Sequence, residues 1–268
     1  MNKRELSGSS LVLYVMRKYK PKTIAIAFSG GIDSLATALI VLDTVAANVK
    51  KVIVFNNTTN EIPESLRYTR RMFSWFKEHY DNVETIELLP SRHYSEFLVE
   101  NFEIAARMFL AKNWFKNQFR CCYHLKEAPA NRFYGKRMIR VKFTGLRGEE
   151  SFQRYLFMRE TKGLFTRGKI INAMPLWNWK RKQVFSFVKN HPLKPEVNPC
   201  YSMGFDGTGC LLCPVKFFFG QRDSLKAMRK YYPAAYRLGC ALRDYFLSKI
   251  SGQKRLIRNN HPILKLIR

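Results

Sequence analysis

The stretch from Ala25 to Leu42, AIAFSGGIDSLATALIVL, sets the tightest limit on how this chain can fold. The apolar run Ile24, Ala25, Ile26, Ala27, Phe28 reads as a buried strand. The run from Leu35 to Leu42 is apolar nearly all round, as in a helix packed on a sheet. Between them lie two glycines, two serines and an aspartate. Gly30 and Gly31 permit a sharp turn and leave room for a ligand against the main chain. That turn delivers the first free N–H groups of a helix, where hydrogen bonding and the dipole both favour an anion. A strand–turn–helix unit with a phosphate- or sulfate-bearing ligand at the turn is therefore predicted. It is not a Walker A loop, because the Lys-Ser/Thr ending is absent.

Further periodic segments surround this unit. SSLVLYVMRKY predicts a leading amphipathic helix with serines available to cap it. Strand one (residues 23–28) and its helix (33–47) are followed by KVIVFNN as a second strand. PESLRYTRRMFSWFKEHY carries Leu66, Met72, Phe73 and Phe76 at helical spacing, with Pro63 near its start. VETIELL predicts a third strand, SEFLVENFEIAARMFLAKNWF a long helix, MIRVKFTGL a fourth strand, INAMPLW a short fifth and KRKQVFSFVKN another helix. Strands alternating with helices predict an α/β fold with a doubly wound, mostly parallel sheet covered on both faces. Beyond Pro192 the pattern breaks into PLKPEVNPCYSMGFDGTGCLLCP before two final helices. The expected division is a nucleotide-binding domain over residues 1–192, then a Cys-rich loop with basic helices over 193–268.

Charge points to a partner. With 47 Lys and Arg against 20 Asp and Glu, the net charge is +27, far beyond what solubility needs. From Thr161 onward, 21 basic residues face four acids. This tail interleaves aromatics with cations, as in KFFFGQRDSLKAMRKYYPAAYRLG, so RNA or DNA is the expected partner, with Lys226, Arg229 and Lys230 as candidate phosphate contacts. A solvated basic surface is the plain alternative. No apolar run reaches the length of a membrane span, and the N-terminus lacks a cleavage-like site, so a cytoplasmic protein with no membrane partner is expected. Six cysteines, at 121, 122, 200, 210, 213 and 240, then point to metal or redox chemistry rather than a disulfide framework.

Ser29, Gly30, Gly31, Asp33 and Ser34 match every defined position of S-G-G-x-D-S, the pyrophosphate loop of the adenine nucleotide alpha hydrolases, which this stretch resembles. Three further segments resemble the phosphoadenylylsulfate and adenylylsulfate reductase branch of that superfamily. FNNTTNEIPESLRYTRRM looks like its stretch after strand two, which implies that Thr58 and Glu61 border the nucleotide. TGLRGEESFQR looks like its signature after a strand, with Arg147 expected to reach a phosphate or sulfate and Arg154 to reinforce it through a planar fork. The bland reading makes Arg147 and Glu149 a surface pair at a strand end. Adjacent Cys121-Cys122, followed by Cys210 and Cys213 in GCLLCP, resembles the [4Fe–4S] ligation of adenylylsulfate reductases. Neighbouring thiolates also fit poorly on one tetrahedral zinc, whereas a cubane offers each a different iron, so a cluster is favoured over structural zinc or no metal. Lys126, one helical turn beyond Cys122, is placed either to feel the cluster charge or, as is commoner for such a lysine, to be simply solvated.

The resemblance spans residues 24 to about 215 and has two departures. The reductases carry a nucleophilic cysteine in a Glu-Cys-Gly-Leu-His pattern, whereas no cysteine here follows Cys240, which reads as a small buried hydrophobe. Many reductases have also lost the loop aspartate, whereas Asp33 is intact, as in enzymes that cleave ATP between the α and β phosphates with Mg²⁺. The combination looks most like the sulfur-inserting members, including tRNA thiolases and DNA phosphorothioation proteins. The expected activity is then adenylation of an acceptor and insertion of sulfur, with Asp33 and Arg147 as catalytic residues. Cys200 is either a sulfur carrier or a buried structural thiol. ATP, Mg²⁺, a cluster (or zinc) and a sulfur donor such as a cysteine desulfurase are implied, and oligomerisation is left open. Two other classes remain: a reductase releasing sulfite from a free sulfonucleotide, and a non-catalytic nucleic-acid-binding module.

Overall fold

The computed structural model of the chain describes residues 6–111 and 120–251. In chain order the elements are α1 Gly8–Tyr19, β1 Thr23–Ala27, α2 Ile32–Thr44, β2 Lys50–Asn56, α3 Pro63–His79, β3 Val83–Leu88 and α4 Ser95–Leu110. A short α5, Arg120–Cys122, widens into a π-helical turn over Tyr123–Glu127 and resumes as α6, Ala128–Lys136. Then come β4 Val141–Thr144, a 3₁₀ turn Gly148–Glu150, α7 Phe152–Thr161, β5 Leu164–Arg167, β6 Ile170–Ala173 and α8 Arg181–Lys189. Three helices close the described chain: α9 Pro214–Phe218, α10 Arg222–Tyr231 and α11 Pro233–Ile250. Residues 112–115 of the long expected helix lie outside the described residues, as do the last cations, from Lys254 on. Among the described residues no helix is long and apolar enough to cross a membrane.

The chain forms two compact units. The first takes the described residues up to Asn56, then Pro63–Leu88 and Pro129–Asn198. Its sheet runs β3-β2-β1-β4-β6-β5, parallel except for the β5–β6 hairpin. The expected parallel α/β fold is thus present, extended by one antiparallel edge strand. That strand, LFTR, escapes a reading by pattern because it buries only Leu164 and so carries no apolar run, and it turns back through Gly168 (φ +60°) and Lys169. Ala25 pairs with Val52 in register, and with Val54 they meet Ala130, Tyr134 and Ile139 on one face. Ile24, Ile26 and Ile53 point the other way and are fully buried, on the side taken by α2. Both faces being covered explains why β1 and β2 are apolar without alternation. At the start of α1, Ser7 N–H donates to Ser10 Oγ at 3.1 Å, as the serines predicted.

The second unit takes Asn57–Ile62, the described part of Leu89–Ala128, and the described chain from Pro199 on. Here α4, α9, α10 and α11 pack around Phe102, Phe217, Phe218, Met228, Leu242 and Phe246. Each such side chain, fully buried, contributes about 1.5–3 kcal/mol. Gly239 lets α11 approach this core closely, since a Cβ there would run into the Phe217 ring.

Candidate functional site

In the first unit, β1 has β2 on one side and β4 on the other, so the strand order reverses between β1 and β4. Open parallel sheets bind ligands at such a switch point, beyond the carboxyl ends of the strands. The turn from Ser29 to Ser34 follows β1 there, and the loop from Gly145 to Glu150 follows β4. Gly31 caps α2 with extended backbone, and Gly30 sits at φ +74°, a conformation natural only to glycine. A Cβ on Gly30 would stand 2.6 Å from Thr69 Oγ1. The turn is tied internally: Ser34 Oγ donates to Gly31 O at 2.8 Å and accepts from Ser29 N–H at 3.1 Å. It is braced externally by Asn198, whose Nδ2 donates to Gly30 O at 2.9 Å and to Ser65 Oγ at 3.0 Å.

Arg147 joins the two loops. Its Nε donates to Asp33 Oδ1 at 2.6 Å and its NH1 to Glu149 Oε2 at 2.7 Å, and its side chain is only 3% exposed. The surface-pair reading of Arg147 therefore fails: this guanidinium is buried. Gly145 permits the close approach, because a Cβ there would lie 2.5 Å from Asp33 O. Burial pushes the Asp33 carboxyl above its ordinary value, and the Arg147 ion pair offsets this only in part. Glu150 accepts from the Arg147 N–H at 3.1 Å and pairs with Arg154, which is exposed and bonds a carboxylate rather than standing free. Gly145, Ser65 and Thr69 lie in the motif segments but are not among the residues those motifs single out, and Asn198 lies outside them. Thr69 Oγ1 is buried without a hydrogen-bond partner.

In the second unit, the loop Cys210–Cys213 is gripped from two distant segments. Asn60 O accepts from Leu211 N–H at 2.6 Å and Asn60 Oδ1 from Leu212 N–H at 3.1 Å. Tyr94 donates its hydroxyl to Leu212 O at 2.5 Å. Thr58 Oγ1 donates to Glu61 Oε1 at 2.7 Å and lies 3.3 Å from Cys210 Sγ. Thr58, expected beside the nucleotide, thus stands against a cysteine of the C-x-x-C pair, with Glu61 bonded to it. Cys121 is buried with Tyr94, Phe97 and Leu125, and Cys122 beside it is exposed at the start of the π-helical turn.

All four thiols act on one electrostatic neighbourhood. Cys121 is pushed up chiefly by its hydrogen bond with Cys122, while that same bond pulls Cys122 down. Burial pushes Cys213 up to about 11. Lys126 is raised, first by Cys210 and also by Cys122 and Cys213, so of the two readings the solvated one gives way to a lysine beside the thiols. Lys216, buried, is lowered by that burial. Among the described residues no group of three or more His, Cys, Asp or Glu is arranged to hold a metal ion. The donor chemistry nevertheless suits a thiolate-bound cluster: four thiols, two lysines against their charge, and a buried Asn60 Nδ2 with no partner.

Cys200 is fully buried in the apolar core of this unit. Such a sulfur cannot exchange with a donor unless the core opens, so of the two roles the sequence offered, burial favours the structural one. Cys240 is half-buried against the same core. Lys226, Arg229 and Lys230 lie exposed on α10, with Lys226 paired to Asp223 at 3.0 Å.

The sequence of residues 23–216 matches the family model of the phosphoadenosine phosphosulfate reductase domain. The chain belongs to this family. An adenosine 5′-phosphosulfate reductase of Bacillus cereus is 26% identical over 214 residues, covering 78% of this chain and 80% of that protein. An uncharacterised protein of Methanocaldococcus jannaschii is 28% identical over 207 residues, 76% of this chain, and the match spans only 38% of that longer relative. Among solved structures, the phosphoadenylyl-sulfate reductase of Candida auris, crystallised with phosphate, shares the fold. Its TM-score is 0.51 at 19% identity, over 77% of this chain and 89% of that one. For this phosphoadenosine phosphosulfate reductase domain, the matched span holds the Ser29–Ser34 turn, the Arg147 loop and Cys121, Cys122, Cys210 and Cys213.

Proposed function

We propose that this member of the family is an ATP pyrophosphatase that adenylates an acceptor and inserts sulfur into it, the acceptor being a nucleic acid. One observation carries the reading: an intact Asp33 in the first turn of α2, its carboxylate gripped by the buried Arg147. With Mg²⁺·ATP as substrate, the N–H groups at the start of α2 receive the terminal phosphates. Asp33 would supply the hard oxygen ligand that Mg²⁺ prefers, and Arg147, beside it, would offer its guanidinium to a phosphate oxygen. The acceptor oxygen attacks the α-phosphorus, the bond to the bridging oxygen breaks, and pyrophosphate leaves with the electron pair. A sulfur nucleophile then displaces AMP from the activated atom. Fixed donors around the leaving pyrophosphate lower the barrier because they need no reorganisation as its charge develops.

A [4Fe–4S] cluster on Cys121, Cys122, Cys210 and Cys213, when bound, supplies electron or sulfide chemistry. Asn60 and Tyr94 fix the loop that carries two of those thiolates, and Lys126 and Lys216 balance their charge. The second reading is a reductase that releases sulfite, favoured by the activity named for the Bacillus cereus relative. Pyrophosphate release separates the two. The full chain is expected to release it from Mg²⁺·ATP when given RNA or DNA, and Asp33→Ala to lower that rate at least about a hundredfold with the fold intact. An unaltered rate in the variant removes Asp33 from the mechanism.

A further inference from the structure

The helix that follows the Arg147 loop is unusual in what it leaves outside. In α7, FQRYLFMRET, only Met158 is buried. Phe152 is 73% exposed and Tyr155 48%, with Leu156 and Phe157 exposed beside them. Residues three and four apart share a helix face, so Phe152, Tyr155, Leu156 and Arg159 form one stripe. Scattered apolar residues on a surface need no explanation, but a contiguous patch on one face does. Arg159 stands over the Tyr155 ring at 5.7 Å, and Lys162, at the end of α7, over Trp177 at 5.6 Å.

The stripe begins at the catalytic loop. Gly148 packs against Trp177 O and the Tyr155 backbone, and its N–H donates to Trp177 O at 2.9 Å. Glu149, bonded to Arg147, accepts from the Arg181 N–H at 2.6 Å. The aromatic stripe therefore starts within a few residues of Arg147 and is backed by the segment that leads into α8. From Ser151 to Lys182 the chain carries eight Lys or Arg and a single acid, Glu160. That balance repels a basic protein or a second copy of this basic chain and attracts a polyanion. Exposed rings interleaved with cations are the means by which proteins hold single strands, the rings taking base faces and the cations taking phosphates.

We propose that the outward face of α7 is the docking surface for a single-stranded nucleic acid, with bases stacked on Phe152 and Tyr155 and phosphates held by Arg159 and Lys162. This rests on the acceptor class named above and deepens it: an unpaired segment is delivered to the loop that carries Arg147. Sequence alone directs attention to Lys226, Arg229 and Lys230 instead.

The test is equilibrium binding of the full chain to a labelled 20-mer, as single-stranded RNA, as single-stranded DNA and as duplex. Single strands are expected to bind more tightly than duplex, and the stronger of the RNA and DNA arms identifies the acceptor. Phe152→Ala/Tyr155→Ala should weaken single-strand binding about tenfold or more while leaving its salt dependence unchanged, because stacking and not charge is lost. Arg159→Glu/Lys162→Glu should flatten the salt dependence instead. All four positions are outside the core, so both variants should keep the native melting temperature. Unchanged affinity in the aromatic variant, with the native chain still binding, overturns the α7 assignment and leaves the acceptor reading standing. The same follows if that variant turns a dimer into a monomer without altering affinity, since a second copy then covers the face. A native chain that binds no strand at low salt overturns both.

Discussion

The phosphate turn and the thiol loop are held in place by different means. Within the turn, Ser29, Gly31 and Ser34 bond to one another across five positions or fewer, with Asn198 as an outside brace. The Cys210–Cys213 loop is fixed from far away: its amide partner Asn60 lies 152 positions from Leu212, and Tyr94 lies 118. The turn also comes with charge partners in place, Asp33 and Glu149 on one buried Arg147. The thiols have no such closure among themselves, and two lysines of the same unit feel their charge. A site built from a contiguous motif needs only its own segment and one brace. A site built from three segments needs the fold around it first.

If the two regions are separately built, they should fail separately. Purified anaerobically, the protein should be brown, with about four irons per chain, and Cys122→Ser or Cys213→Ser should remove both colour and iron. The same variants should keep native affinity for Mg²⁺·ATP, just as Asp33→Ala should keep its iron. Stoichiometric zinc in a colourless, folded protein would end the cluster assignment.

A smaller effect concerns pH. Asp33 must be ionised to ligate Mg²⁺, and burial raises its pKa, so kcat/KM for ATP should fall with acid above the ordinary carboxylate range. Arg147→Met removes the partner that favours the charged form, so the acid limb should move to higher pH. A limb that stays in place in this variant would mean that Arg147 does not set the Asp33 charge.

Two glycines give a matched pair of stability changes. Gly30→Ala places a Cβ at positive φ against Thr69, costing about 1–3 kcal/mol and weakening ATP binding. Gly239→Ala drives a Cβ into Phe217 and should cost about as much in the second unit, leaving ATP binding alone. Equal loss of ATP binding in both would break the distinction between the regions.

How much of this was legible in the sequence follows the same division. The turn after β1 was, because one strand, two glycines and an apolar helix occupy eighteen consecutive residues. The five parallel strands were legible where they are apolar without interruption, as in KVIVFNN. By contrast, α7 turns its apolar stripe outward and buries only Met158, so no buried face marks it as a helix of the core. The cysteine pattern drew attention to its loop, but Asn60 and Tyr94 are unremarkable residues whose roles arise only when distant segments meet. Arg147 was picked out for an anion, while its burial between Asp33 and Glu149 needed the packing of Gly145 against the turn.

The smallest effect expected is electrostatic. If about five phosphates are neutralised on binding, log K should fall with log[salt] at a slope of about −4. Charge reversal at Lys226, Arg229 and Lys230 should make that slope shallower. A shallow slope in the native chain would favour a merely solvated basic surface.

The central claim is that ATP is spent to make an acceptor oxygen a leaving group for sulfur. The most direct measurement runs two substrates side by side on anaerobically prepared protein. One arm supplies Mg²⁺·ATP, a persulfide donor carrying labelled sulfur, and single-stranded RNA or DNA. The other supplies adenylylsulfate or phosphoadenylylsulfate with thioredoxin. Cys200→Ser and Cys240→Ser serve as controls in both. The account predicts labelled sulfur in the polymer, with AMP and pyrophosphate released, and little sulfite from the second arm. Robust sulfite release that depends on either cysteine, with no label in the polymer, would contradict it.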